Sequence, residues 1–448
     1  MLIKIGDEMD IVIIGGGAAG MTAASRIKAL KKDWNVRVFE KTSFVSHAPC
    51  GIPYVVEDLV TDATHLMYYK PEVFIKERGI DLHLNSKVVE VGDGFVRALE
   101  NGKEKKYNWD KLLFGTGASP KIPDVDGIDL KNVFTADLPP DADEIKKAAK
   151  NVKDVVIVGA GYIGLEMAEA FVATGKKVTL IGKYDYPLPR FDKEIGEIIK
   201  NEVTRRVNYR ASEMIEAIEG KEKVEKVITD KGEYKADLVV IAIGVKPDVE
   251  LAKQLGVKIG KTGAIATNSR METNIENVYA AGDCAESINV VTKKVDWIPL
   301  ATPANKMGYV AGVNMAEGYM EYPGSLKSQI TGFFNLEIGK VGLSEKEAIR
   351  EEYNVVSSFI TSRTSAKYMR DGTIHLKIVA DKNGKVLGVQ CVGKDVVKRI
   401  YGASALLYKD ADVKDFFFTD FPYYPPESRV WDPLVIAARS LFRKLGMP

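Results

Sequence analysis

Asp10-Ile11-Val12-Ile13-Ile14-Gly15-Gly16-Gly17-Ala18-Ala19-Gly20 decides the fold. The apolar run Ile11 to Ile14 reads as a buried parallel strand. It ends in Gly15, Gly17 and Gly20, spaced G-x-G-x-x-G, and a helical pattern follows through Leu30. Gly15 permits the tight turn, Gly17 lets a pyrophosphate approach the backbone, and Gly20 lets helix and strand pack closely. The helix N-terminus then faces the phosphates. A second strand, Val36-Arg37-Val38-Phe39, closes on Glu40 and Lys41. Glu40 is placed to accept both hydroxyls of an adenosine ribose. Alone, the glycine pattern is weak; between two strands, with an acid about 20 residues on, it is strong.

The unit occurs twice. Val155-Val156-Ile157-Val158 leads into Gly159-Ala160-Gly161-Tyr162-Ile163-Gly164, then a helix to Thr174 and a strand over residues 177–181. Two units imply two dinucleotides. Gly182 stands where Glu40 closed the first copy, with Lys183 beside it. That removes a carboxylate able to bind a free 2′-hydroxyl and repel a 2′-phosphate, so weak discrimination between NADH and NADPH is expected. Leu112-Leu113-Phe114-Gly115-Thr116-Gly117 closes the first unit, and an apolar strand ending at Gly244 closes the second. Residues 273–283 read as a strand delivering Gly282 and Asp283 to the sheet end where ligands sit, with Asp283 suited to a flavin's ribityl chain. Cys284 beside it reads as structural.

Ser46-His47-Ala48-Pro49-Cys50-Gly51-Ile52-Pro53-Tyr54 follows the first unit. Cys50 has no cysteine neighbour, because the other two are Cys284 and Cys391. A lone cysteine in such a loop is otherwise a small apolar filler. Beside two dinucleotide units it reads as a redox thiol that cycles against an external partner, as a mixed disulfide, a persulfide or a sulfenic acid.

The fold class expected is α/β: two Rossmann-like dinucleotide-binding domains plus a C-terminal α+β dimerisation domain. Residues 1–117 and 249–325 are expected to form the FAD-binding domain, 118–248 the NAD(P)-binding domain and 326–448 the interface domain. In the last, short alternating strands replace the nucleotide pattern, and Phe416-Phe417-Phe418 to Pro426 is aromatic enough for core or an oligomer interface. A net charge of +1 implies no attraction to nucleic acid or acidic membranes. Three unpaired cysteines argue for a reducing, cytoplasmic compartment. The start does not resemble a signal peptide, and no apolar run reaches the roughly 18 residues of a membrane span.

Together these motifs resemble the two-dinucleotide flavoprotein disulfide reductases over essentially the whole chain. Within them the chain is most similar to the single-cysteine coenzyme A-disulfide reductases and NAD(P)H:sulfur oxidoreductases. Their loop Ser-Phe-x-Asn-Cys-Gly-x-Pro-Tyr is kept at Ser46, Cys50, Gly51, Pro53 and Tyr54, with His47 and Pro49 in place of Phe and Asn. Related peroxidases and oxidases carry a His in the first glycine loop where this chain has Ala18, which argues against a dedicated peroxidase.

The resemblance implies FAD held by Gly15, Gly17, Ala18, Ala19, Gly20, Glu40, Lys41, Ser46, Thr116, Gly117, Gly282, Asp283 and Ala301. It places NADH or NADPH at Gly159, Gly161, Tyr162, Ile163, Gly164, Gly182 and Gly244, with Glu166 touching the nicotinamide amide and Tyr162 as a lid over the flavin. Coenzyme A contacts map onto Thr22, Arg26, Ser46 and Asn305, and Ala29 replaces a family arginine. A homodimer is implied in which Tyr368 and Tyr423 reach the partner's Cys50. The implied activity is NAD(P)H-dependent reduction of coenzyme A disulfide, or of a persulfide or polysulfide with coenzyme A as helper. O₂ reduction and electron delivery to a protein partner are the alternatives, and the lone thiol speaks against the last.

Overall fold

The computed structural model describes residues 9–369 and 372–446. The strand Asp10–Ile14 lies at the centre of a five-stranded parallel sheet, between Lys111–Phe114 and Asn35–Phe39. Asp81–His83 and Val278–Ala280 complete its two edges. Ile11, Val12, Ile13 and the whole Leu112-Leu113-Phe114 run are fully buried. Each such side chain contributes about 1.5–3 kcal/mol of transfer free energy, which is why unbroken apolar runs become central strands.

The second copy repeats the order. Asp154–Val158 lies between Lys177–Gly182 and Leu238–Ile241, with Asn208–Ala211 and Val133–Thr135 at the edges. A two-stranded antiparallel link, Ala118–Pro120 with Val245–Pro247, joins the two units where the chain crosses between them. Three-stranded antiparallel sheets over residues 86–108 and 215–235 flank the units.

The C-terminal sheet is antiparallel, in the order Gln329–Phe333, Leu336–Gly342, Val386–Gly393, Thr373–Asp381, Val355–Arg363. The helices Val396–Leu407 and Pro433–Leu445 pack their buried faces on it. Among the described residues no helix is long and apolar enough to cross a membrane.

One local expectation changes. Residues 273–283 are not one strand; only Val278–Ala280 joins the sheet. Thr273 Oγ1 accepts from Ile275 N–H, Thr273 N–H donates to Val278 O, and Glu272 bridges Tyr279, so the segment turns back on itself. A threonine bonding its own backbone competes with the sheet ladder. Residues 71–77 are helical, in one short wide turn closed by Arg78 N–H on Val73 O.

Candidate active site

Both parallel sheets end their central strands on one cleft of about 2700 Å³. A small-molecule pocket holds roughly 300–1,000 Å³, so this cleft has room for extended ligands at both units. Its walls include Gly15, Gly17, Ala18, Ala19, Glu40, Lys41, Ser46, Cys50, Thr116, Gly117, Gly282, Asp283 and Ala301 on the first side. Gly159, Gly161, Tyr162, Ile163, Glu166, Gly182 and Gly244 line the second. Thr22, Arg26 and Asn305 border it as well.

The glycines divide by task. Gly15 and Gly159 hold φ of +109° and +115°, and a side chain there would meet the backbone oxygens of Gly115 and Ala242. Gly20 and Gly164 do not line the cleft; an added Cβ would fall 1.9 Å from Gly15 O and 1.8 Å from Gly159 O respectively. They permit close helix–strand packing. Gly17 and Gly161 face open space and cap the helices Ala18–Leu30 and Tyr162–Ala173. Neither helix has a side-chain cap or an acid in its first turn. Each terminus therefore offers unfilled N–H donors and a positive dipole end to an anion.

Asp283 Oδ1 is buried without a hydrogen-bond partner among the described residues. Burial pushes its carboxyl up to about 6. Trp297 Nε1 donates to Asp283 O at 2.7 Å and fixes the backbone. A buried acceptor with no donor fits a ligand hydroxyl, as a ribityl chain supplies. The residues present thus fit FAD at the first unit and a nicotinamide dinucleotide at the second.

Glu40 is more constrained than its sequence position suggests. Its Oε2 accepts from Gly16 N–H at 2.8 Å, and its Oε1 accepts from the N–H and hydroxyl of Thr42 at 2.8 Å each. A carboxylate has about four lone-pair sites, so capacity for a ribose remains but is reduced.

Cys50 sits in the short helical turn Pro49–Gly51, which runs into the helix Ile52–Val56. It is the exposed cysteine; Cys284 and Cys391 are buried. Cys284 Sγ donates to Phe114 O and Ala281 O, a structural role. Although Cys50 opens onto the cleft, the surrounding protein pushes its thiol up, and the Glu166 carboxylate adds to this. The protein's own groups therefore favour the neutral thiol.

Glu166 is itself raised by burial, against a lowering hydrogen bond from Thr331 Oγ1 at 2.6 Å. Toward the other end, Thr22 Oγ1 donates to Asn305 Oδ1 at 2.9 Å, and Arg26 stacks 4.8 Å from the Tyr309 ring. Gly308 and Gly312 allow that approach, since a Cβ on Gly308 would meet Ala19 O at 2.3 Å.

Several cleft residues carry no sequence signal. Arg78 Nη1 donates to Ser25 Oγ at 2.7 Å and lies 4.7 Å over the Tyr69 ring. His47 lines the cleft with Nδ1 buried and unpartnered among the described residues. Tyr368 and Tyr423 are absent from this chain's own cleft and lie exposed on the C-terminal domain.

Two dinucleotide units opening on one cleft, with an accessible thiol in its wall, define a two-dinucleotide oxidoreductase. The chain belongs to the pyridine nucleotide-disulphide oxidoreductase family: residues 9–308 match it, and residues 328–433 match its dimerisation domain. It is therefore an enzyme using FAD and NAD(P)H. It is 57% identical over 440 residues to the CoA-dependent NAD(P)H sulfur oxidoreductase of Pyrococcus furiosus, covering 97% of this chain and 99% of that one. It is 56% identical to the NAD(P)H coenzyme A polysulfide/persulfide reductase of Pyrococcus horikoshii, over 96% of this chain and 98% of that one. Among solved structures, the NAD-dependent persulfide reductase of A. fulgidus superposes with a TM-score of 0.94 at 34% identity, covering 98% of this chain and 84% of that one.

Proposed function

We propose that this enzyme uses NAD(P)H to reduce coenzyme A disulfide, or the persulfide or polysulfide of coenzyme A, at Cys50. The observation that carries the reading is the single accessible thiol on a cleft shared by two dinucleotide cradles. The names of the two Pyrococcus relatives and the persulfide reductase support the substrate class. Residues 1–117 with 249–325 are assigned to FAD, 118–248 to the coenzyme and 326–448 to dimerisation, in keeping with the sheet memberships.

The helix starting at Ala18, with Glu40 and Asp283, would hold FAD, which supplies a two-electron relay between nicotinamide and thiol. The helix starting at Tyr162 takes the coenzyme pyrophosphate, and Glu166 accepts from the nicotinamide amide. Thr22, Arg26, Ser46 and Asn305 orient coenzyme A. The Cys50 thiolate attacks the substrate S–S bond and releases one thiolate, leaving Cys50 in a mixed disulfide. Two electrons from NAD(P)H split that bond, restore the Cys50 thiolate and free the second thiol. Tyr368 and Tyr423 belong to the partner's site in a homodimer that shares its active sites between chains.

The test is anaerobic NAD(P)H oxidation with coenzyme A disulfide and with coenzyme A persulfide, beside O₂ uptake without either. Mass spectrometry of Cys50 accompanies it. A reducible coenzyme A adduct on Cys50 and turnover well above the O₂ rate are expected. Turnover with O₂ alone, and Cys50 carrying only a sulfenic acid, would replace this reading with that of an oxidase.

A further inference from the structure

The strand Gln329–Phe333 of the dimerisation domain packs on the helix Tyr162–Ala173 of the coenzyme unit. Thr331 Oγ1 donates to Glu166 Oε1 at 2.6 Å. Two residues back along the strand, Gln329 Oε1 accepts from the Tyr162 hydroxyl at 3.1 Å. Alternate strand residues share a face, as do helix residues four apart. Strand spacing therefore matches helix spacing, and two side chains of one domain hold two of another. The pairs are 165 and 167 residues apart in sequence.

The held residues are the two that meet the nicotinamide end in the reading above. Thr331 is buried, and it has one proton to give. Given to Oε1, it fixes the carboxylate plane and leaves Oε2 for a ligand donor. Tyr162 must leave Gln329 if it is to move aside for a nicotinamide ring.

We propose that Thr331 and Gln329 are positioning residues for the nicotinamide end of the coenzyme site, Thr331 setting the orientation of Glu166 and Gln329 holding Tyr162 in place until the coenzyme arrives. The proposal rests on the roles given above to Glu166 and Tyr162. It makes the dimerisation domain part of the coenzyme site as well as of the subunit interface.

The charged form of Glu166 is the better acceptor for an amide N–H, and the Thr331 bond favours that form. The groups facing Glu166 are Glu169 and Tyr162 on its own helix and Cys50 and Tyr54 on the residue 49–56 segment. Tyr162 in turn feels Arg190 and Glu347. Removing the Thr331 hydroxyl leaves burial and Glu169 unopposed, so Glu166 then takes up its proton at higher pH.

The experiment uses the FAD-loaded enzyme and measures NAD⁺ affinity by calorimetry, and flavin reduction by NADH in stopped flow, across pH. Thr331→Val should weaken NAD⁺ by about tenfold and move the acidic limb of the flavin-reduction profile to higher pH. Thr331→Ser should restore both. Glu166→Gln should remove the limb, and Thr331→Val should add nothing in that background. If Thr331→Val follows the wild-type profile while Glu166→Gln does not, the positioning role is overturned and Glu166 keeps its own. If Glu166→Gln matches wild type, the reading of Glu166 itself fails. Gln329→Met, at a partly exposed position, serves should Thr331→Val not fold. It should quicken NADH association about two- to tenfold by freeing Tyr162, and an unchanged rate would count against the Gln329 role.

Discussion

The hydroxyls of Tyr368 and Tyr423 stand 3.2 Å apart, though 55 residues separate them in sequence. Both side chains face outward, 74% and 48% exposed, which is costly for two aromatic rings unless something else meets them. Their loops are tied together beneath: Ala366 N–H donates to Pro425 O at 2.9 Å, and Arg429 Nη1 to Ser362 Oγ at 2.7 Å. The Tyr368 hydroxyl pushes the Tyr423 phenol up, so Tyr423 stays protonated near neutral pH and can donate.

Tyr423→Phe is expected to slow disulfide reduction by about 10²–10³, the usual cost of a lost proton donor, without slowing flavin reduction. Mixing Tyr423→Phe subunits with Cys50→Ser subunits gives heterodimers with one intact site if each tyrosine serves its partner's cysteine. Activity above either parent after subunit exchange supports the shared site. No recovery would mean that the tyrosine either acts within its own chain or does nothing.

Cys50→Ser should abolish turnover of coenzyme A disulfide while flavin reduction by NAD(P)H stays nearly intact. No other thiol is within reach, since Cys284 and Cys391 are buried. Steady-state and single-turnover assays on the same preparation separate the two steps. Disulfide turnover at the wild-type rate would remove Cys50 from the mechanism.

What the sequence made legible is whatever chain neighbours determine. Each glycine cradle, its strand and its helix lie within about 30 residues, and their chemistry can be read from spacing. Cys50 was legible for the same reason. The Thr331–Glu166 bond was not, because nothing near Thr331 in sequence marks it for a carboxylate on another domain. The ribose role read for Glu40 also missed Thr42, whose backbone and hydroxyl both bind the carboxylate. Packing writes such pairings only once the domains have met.

Arg399 shows a further contact of that kind. It is 2% exposed, and its Nη2 and Nε reach Asp432 Oδ2 at 2.8 and 3.1 Å while Nη2 also donates to Thr364 O. Asp432 in turn caps the helix Pro433–Leu445 through Leu434 N–H. The pair thus joins the segments that lead to Tyr368 and Tyr423. Arg399→Leu strands a buried carboxylate and should cost about 3–5 kcal/mol in denaturant unfolding. Arg399→Met with Asp432→Asn, which leaves no buried charge and keeps the cap, should recover much of that. A double variant no more stable than the single would show that the charge is not the cause.

His83 carries a pH-dependent contribution to stability. Asp81, whose carboxylate lies 3.1 Å from Nε2, does most to raise the imidazole's pKa and outweighs burial, with Glu100 adding to the effect. A raised folded-state value means the stabilisation is complete below the ordinary histidine range and fades as pH rises through the folded value. Asp81 and Glu100 are both lowered, so their share is lost as pH falls through their own folded values. His83→Gln should therefore lower Tm most between the ordinary carboxylate and histidine ranges, and least at alkaline pH. A Tm difference that is flat across pH would rule out the ion-pair account.

Asp283 should show two effects of opposite sign. Its carboxyl titrates near 6 in the protein, against 3.8 as the ordinary value. Because an acid with a raised folded value is penalised when ionised, folding stability falls as pH rises from the unfolded to the folded value. Above about pH 6 the full penalty is present, on the order of 3 kcal/mol for a shift of about two units. Asp283→Asn removes that buried charge, so the flavin-free protein should gain stability at pH 7 and little at pH 4, as read by Tm. FAD affinity should move the other way, because the ribityl hydroxyl loses a charged acceptor worth about 1.5–3 kcal/mol, or roughly 10- to 150-fold in Kd. Reconstitution of the flavin-free variant with FAD measures this directly. A variant that neither gains stability at pH 7 nor loses FAD affinity would mean the Asp283 carboxylate is satisfied elsewhere and has no part in holding the flavin.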